Sequence, residues 1–130
     1  MKSFKDLKVY QKAFALSMEI FEISKIFPPE EKYSLTSQIR RSSRSVCSSI
    51  AEAYRKRLCQ AHFISKNSDA DMENSETQVW LDFAFACKYI AEEKYKDLFA
   101  KSEEVGRMLH HMIHNPSEYL TQEEKKKIKG

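Results

Sequence analysis

Residues 27–57 read FPPEEKYSLTSQIRRSSRSVCSSIAEAYRKR, and this stretch decides the fold. Leu35, Ile39, Val46, Ile50 and Ala53 recur at helical steps, which puts them on one stripe of an amphipathic helix, with Ser42, Ser43 and Cys47 as small residues beside it. Pro28 bars the preceding residue from helical backbone, and a proline–carboxylate opening suits a first turn, so a helix is predicted over about Glu30 to Arg57. Residues 36–60 hold six cations, Arg40, Arg41, Arg44, Arg55, Lys56 and Arg57, against a single acid, Glu52. At about 100° per residue, Arg40, Arg44 and Arg55 fall to one side of the apolar stripe, and Arg41, Ser37 and Ser48 extend the same polar face. One side of this helix is built to pack and the other shows charge.

The flanking segments have the same period. Leu7, Tyr10, Phe14, Ser17, Ile20 and Phe21 mark a first helix from about Asp6 to Phe27, stopped by Pro28 and Pro29. No Gly or Pro marks the end of the second helix, so the loss of phase places a break near Lys56–Gln60. A third helix is predicted with Met72, Val79, Phe83, Cys87 and Ile90 on its inner face and Trp80 and Phe63 nearby. Glu76 falls within that apolar face, where a buried carboxylate requires a cation. A fourth helix, about Glu93 to His114, turns Tyr95, Leu98, Phe99, Ser102, Val105, Leu109 and Met112 inward, with Gly106 in its interior. Residues 1–120 therefore read as one all-α domain, an antiparallel up-and-down four-helix bundle. Residues 121–130 read as a charged tail that frays.

Composition narrows the class. Two glycines and three prolines in 130 residues leave little turn chemistry, which excludes an all-β chain. Three widely spaced cysteines suit reduced thiols rather than a disulfide framework, no apolar run is long enough to span a bilayer, and residues 1–10 carry no signal-peptide core. A cytoplasmic protein with no membrane association is expected. Trp80, Leu81, Phe83 and Phe85 cover opposite faces of the third helix, so a lone bundle would expose apolar surface and a closed oligomer is expected.

Two readings of the cations stand side by side. Arginine forks and serine hydroxyls hold phosphates without base contacts, which makes Arg40, Arg41, Arg44, Arg55, Lys56 and Arg57 a candidate nucleic-acid face. Residues 61–91 carry five acids against two lysines, however. A chain reversal near residue 59 would then set Arg41 and Arg44 opposite Glu73 and Glu76 as a structural ion-pair set. His110 and His114 have a metal-compatible spacing but no third ligand, so no metal is expected. Cys47 beside the core stripe reads as an inert thiol. The chain has no nucleophile–base spacing and no Gly-rich phosphate loop, so neither catalysis nor a cofactor is expected.

FKDLKVYQKA (residues 4–13), the 27–57 stretch and ENSETQVWLDFAFACKYI (residues 73–90) together resemble a bacterial family of four-helix proteins encoded in intervening sequences of 23S rRNA genes. The accessory variability protein of diversity-generating retroelements is a relative in that superfamily. The resemblance spans about residues 4 to 119, with Gln38, Arg40, Arg41 and the SIAEA run (residues 49–53) matching the second-helix motif, and Glu73, Glu76, Thr77, Trp80 and Asp82 a third-helix pattern. Ser49 stands where many members have Asn, and Ala53 where many have Gly. The resemblance implies a ring-like homopentamer with a basic surface for nucleic acid, RNA ahead of DNA, and no known catalysis. It leaves open a scaffold role toward a protein such as a reverse transcriptase, or a structural oligomer with no nucleic-acid role.

Overall fold

Ser3 and Asp6 exchange hydrogen bonds with each other's turn and cap a short 3-10 turn, Phe4–Asp6, that leads into the first long helix. The computed structural model describes residues 3–130. Within them it has five α-helices and no strand: α1 (Lys8–Ser24), α2 (Leu35–Arg55), α3 (Gln60–Ala86), α4 (Glu92–His114) and α5 (Gln122–Lys129). No helix among the described residues is long and apolar enough to cross a membrane.

Helices α1 and α3 each pack against both α2 and α4, so the four long helices form a closed cycle with α1 and α3 on a diagonal. Side-chain pairs give the directions. Ser17 meets Ser43 while Ser24 meets Arg40, and Thr77 meets Ser42 while Lys66 meets Glu52. Asn74 meets Ser102 while Asp82 meets Tyr95, and Lys12 meets Glu104 while Glu19 meets Lys101. Every neighbouring pair runs antiparallel.

The stripe expected for α2 is buried as read: Leu35, Ile39, Val46, Ile50 and Ala53 lie in the core. The helix begins five residues later than expected, because Pro29–Glu31 forms a separate 3-10 turn and Ser34 leaves helical geometry. Glu31 then works from outside the helix, accepting the Ser34 hydroxyl at 2.7 Å and the Leu35 N–H at 3.3 Å. Helix α1 likewise stops at Ser24, short of Phe27.

The inner face expected for α3 is a correction. Met72, Val79, Phe83 and Cys87 are exposed, and only Ile90, beyond the helix, is buried. The true inner stripe is Phe63, Asn67, Ala70, Asn74, Thr77, Leu81 and Ala84, at regular three- and four-residue steps. Two of its three polar members bond across the core, Thr77 to the Ser42 hydroxyl at 2.8 Å and the Asn74 amide to the Ser102 carbonyl at 2.9 Å, while the Asn67 amide donates to the Phe63 carbonyl one turn back at 3.1 Å. In α1 too, Phe14 points outward and Val9, Ala13, Leu16 and Ile20 point in.

The C-terminal residues form a helix where fraying was expected. Leu120 is buried, and Tyr119 stacks on Phe63 with centroids 5.9 Å apart, which fixes the chain entering α5.

Candidate nucleic-acid interface

The six cations of the basic stretch do not share one site. Arg41 and Arg55 are fourteen residues apart on one helix, about 21 Å at 1.5 Å per residue. The structure divides them into a group in the first half of α2 and a group at its C-terminal end.

In the first group, hydrogen bonds within the chain occupy two of three guanidinium groups. Arg40 donates from Nε to the Ser24 hydroxyl at 2.8 Å and from a terminal nitrogen to the Phe21 carbonyl at 3.4 Å, and lies 4.8 Å from the centre of the Phe21 ring. It closes the C-terminal end of α1, whose last carbonyls lack helical partners. Arg41 lies 3.2 Å from Glu73, contacts Glu76, and donates from Nε to Gln38 at 3.0 Å. Glu76 also accepts the Trp80 indole N–H at 3.3 Å. It is not the buried acid expected from the sequence, since its side chain is 38% exposed. The misplaced α3 stripe explains this, because Glu76 lies on the outer face with Met72, Val79 and Phe83. Arg44 is exposed over the Phe21 ring, with its guanidinium carbon 5.6 Å from the centroid, and pairs with neither Glu73 nor Glu76.

The second group is different. Arg55 and Lys56 are exposed at the end of α2, and Arg57 stacks on Tyr54 at 3.8 Å while its Nε bonds the Tyr54 carbonyl at 2.9 Å. That stacking orients a planar fork without neutralising it. Glu52, the one acid of the stretch, is paired with Lys66 at 2.8 Å, and that hydrogen bond raises the Lys66 pKa. None of Arg55, Lys56 and Arg57 has a carboxylate within ion-pair distance among the described residues.

The turn after α2 also receives the C-terminal chain. The Thr121 N–H donates to the Arg57 carbonyl at 3.3 Å, and Glu124 Oε2 accepts the Gln60 N–H at 2.8 Å. Cys59 precedes α3 without offering a side-chain cap, so Glu124, 64 residues away, satisfies one free N–H of that helix. Thr121 in turn caps α5. Lys125, Lys126, Lys127 and Lys129 follow on that helix, against Glu123 and the engaged Glu124. The α5 lysines were not part of the sequence-predicted site. Their run of charge was visible, but nothing in its spacing pointed to this corner.

The other sequence candidates occupy surroundings without a site. His110 and His114 stack with centroids 4.0 Å apart, and no group of three potential metal ligands occurs among the described residues. Burial pushes the Cys47 thiol up to about 11, which keeps it protonated at neutral pH.

Comparison with known proteins fits this geometry to a family. The model of the 23S rRNA-intervening sequence protein family matches residues 5–111, and the chain belongs to that family. A solved structure of a protein of unknown function from the S23 ribosomal protein family of Bacteroides thetaiotaomicron is 30% identical. It superposes with a TM-score of 0.75 over 82% of this chain and 96% of its own. No curated protein matches the chain.

Proposed function

We propose that this chain is a four-helix-bundle protomer of a ring-like homo-oligomer, five-fold by family resemblance, which binds the phosphate backbone of nucleic acid, RNA in preference to DNA. The observation that carries the binding is the cationic corner at the end of α2, where Arg55, Lys56 and Arg57 lack carboxylate partners and the one nearby acid of the stretch is neutralised by Lys66. Backbone contacts need charge and donors rather than base readout, and that is what this corner supplies. The preference for RNA is supported by the family's association with 23S rRNA genes.

Assembly is supported by where the apolar surface lies. Phe14 and Met18 on α1, with Ile26 just past its end, are 46–65% exposed, and Met72, Val79 and Phe83 on α3 are 46–67% exposed. Since α1 and α3 are diagonal, these two unlike apolar faces lie on opposite sides of the protomer. A face of one kind meeting a face of the other makes a head-to-tail contact, which closes into a ring when the rotation per protomer permits. A ring repeats the cationic corner in each protomer and adds up a charge that is modest in one chain.

Titration of labelled RNA and DNA duplexes across a salt series tests the binding. The expected result is sequence-tolerant binding, tighter for RNA, with log K falling linearly against log salt at about 0.7–0.9 per phosphate neutralised. Absence of binding to either duplex at low salt would overturn the proposal.

A further inference from the structure

We propose that α5 is a docked basic arm of the nucleic-acid surface, and that Glu124 is the positioning residue that holds it there. This rests on the binding reading above and extends it to a segment outside the matched family region, which ends at residue 111.

Four contacts seat the arm. Leu120 is buried in the core cluster that contains Phe63, and Tyr119 stacks on the same ring. Thr121 bonds to Arg57, itself one of the interface cations, and Glu124 caps the N-terminus of α3 through Gln60. The effect is to join Lys125, Lys126, Lys127 and Lys129 to the corner that carries Arg55, Lys56 and Arg57. None of these lysines has a carboxylate within ion-pair distance among the described residues. Cations near the end of a helix also suit its dipole, and that alone would account for lysines on a free tail. It does not account for a carboxylate that reaches back to cap a different helix. A docked arm presents its charges with less ordering left to do on binding than a free tail, so docking strengthens association with a phosphate backbone.

Glu124 offers a test that separates docking from charge. Glu124→Gln and Glu124→Ala remove the same negative charge, but only the glutamine retains an oxygen that accepts the Gln60 N–H. Electrostatics alone predicts that both variants bind a labelled RNA duplex more tightly than wild type, and equally. The docked arm predicts that the glutamine variant binds at least as well as wild type and the alanine variant about three- to tenfold more weakly than the glutamine variant. Hydrogen exchange at the Gln60 amide should show protection in wild type and Glu124→Gln and its loss in Glu124→Ala. Changing Lys125, Lys126, Lys127 and Lys129 to Gln should lower the salt slope by about 0.7–0.9 for each lysine that meets a phosphate. Equal binding by the two Glu124 variants, retained Gln60 protection in the alanine variant, or an unchanged slope in the lysine variant would overturn the inference while wild-type binding stands. Failure of wild type to bind at all would remove the underlying reading instead.

Discussion

Arg41 on α2 and Glu73 on α3 lie 3.2 Å apart, and the same guanidinium contacts Glu76 one turn further along α3. One cation is thus shared by two carboxylates, and a residue at the centre of the basic stretch serves to join helices. Its partners are partly exposed, so the contribution is modest. Arg41→Gln should destabilise the fold by about 1 kcal/mol in denaturant unfolding, since it leaves two neighbouring acids without their cation. The same variant should retain the wild-type salt slope for RNA binding. A reduced slope would return Arg41 to the interface.

Assembly through two unlike faces has a distinctive consequence. Phe14→Glu should disable the α1 face and Phe83→Glu the α3 face, so each variant alone sediments as a monomer. An equimolar mixture retains one intact face on each partner and should yield a heterodimer, because the remaining pair of faces cannot continue the ring. Self-assembly of either variant would contradict a head-to-tail contact through these faces.

Gly106 lies inside α4, where a glycine-to-alanine change ordinarily gains about 1 kcal/mol. A Cβ at this position would lie 3.2 Å from the Asn74 amide nitrogen, which is fixed by its bond to the Ser102 carbonyl while its carbonyl oxygen accepts the Ser102 hydroxyl. Gly106→Ala should therefore give no gain, or a loss of about 1 kcal/mol as the network shifts. A full propensity gain in urea unfolding would show that Asn74 yields freely.

Glu31 ties the start of α2 to the link between α3 and α4, since it also accepts the Tyr89 hydroxyl at 2.9 Å. Hydrogen bonds from Ser34, then from Tyr89, lower its pKa below 4.5, and the same carboxylate pushes the Tyr89 hydroxyl up to about 12. A carboxylate with a depressed folded-state pKa stabilises above its unfolded value, and that contribution is lost as pH falls through the folded one. Stability should thus decline on acidification below about pH 4.5, and Glu31→Gln should be less stable at neutral pH with a flatter curve through the acid range. A variant curve parallel to wild type would mean that Glu31 does not titrate with folding.

The legibility of this sequence followed its chemistry. Helix α2 could be read because its large inward side chains, Leu35, Ile39, Val46 and Ile50, are apolar, its buried polar residues, Thr36, Ser42 and Ser43, are small, and Pro28 and Pro29 mark the break before it. Helix α3 could not, since Asn67, Asn74 and Thr77 point inward and Met72, Val79 and Phe83 point outward. Apolar periodicity finds the most apolar stripe, and in α3 that stripe faces away from the core. Arg40, Arg41 and Arg55 look alike in the sequence, and only their neighbours on α1 and α3 distinguish a helix clamp, an ion pair and an exposed cation. Glu124 was least legible, because a cap supplied across 64 residues leaves no local pattern.

The salt dependence of RNA binding by a variant with Arg55, Lys56 and Arg57 changed to Gln tests the central claim most directly. Glutamine keeps hydrogen-bonding capacity and removes three charges, so a backbone interface at this corner should show a slope reduced by up to about 2–3 relative to wild type, with the fold unchanged by circular dichroism. A variant that binds with the full wild-type slope would place the phosphate contacts elsewhere on the protein.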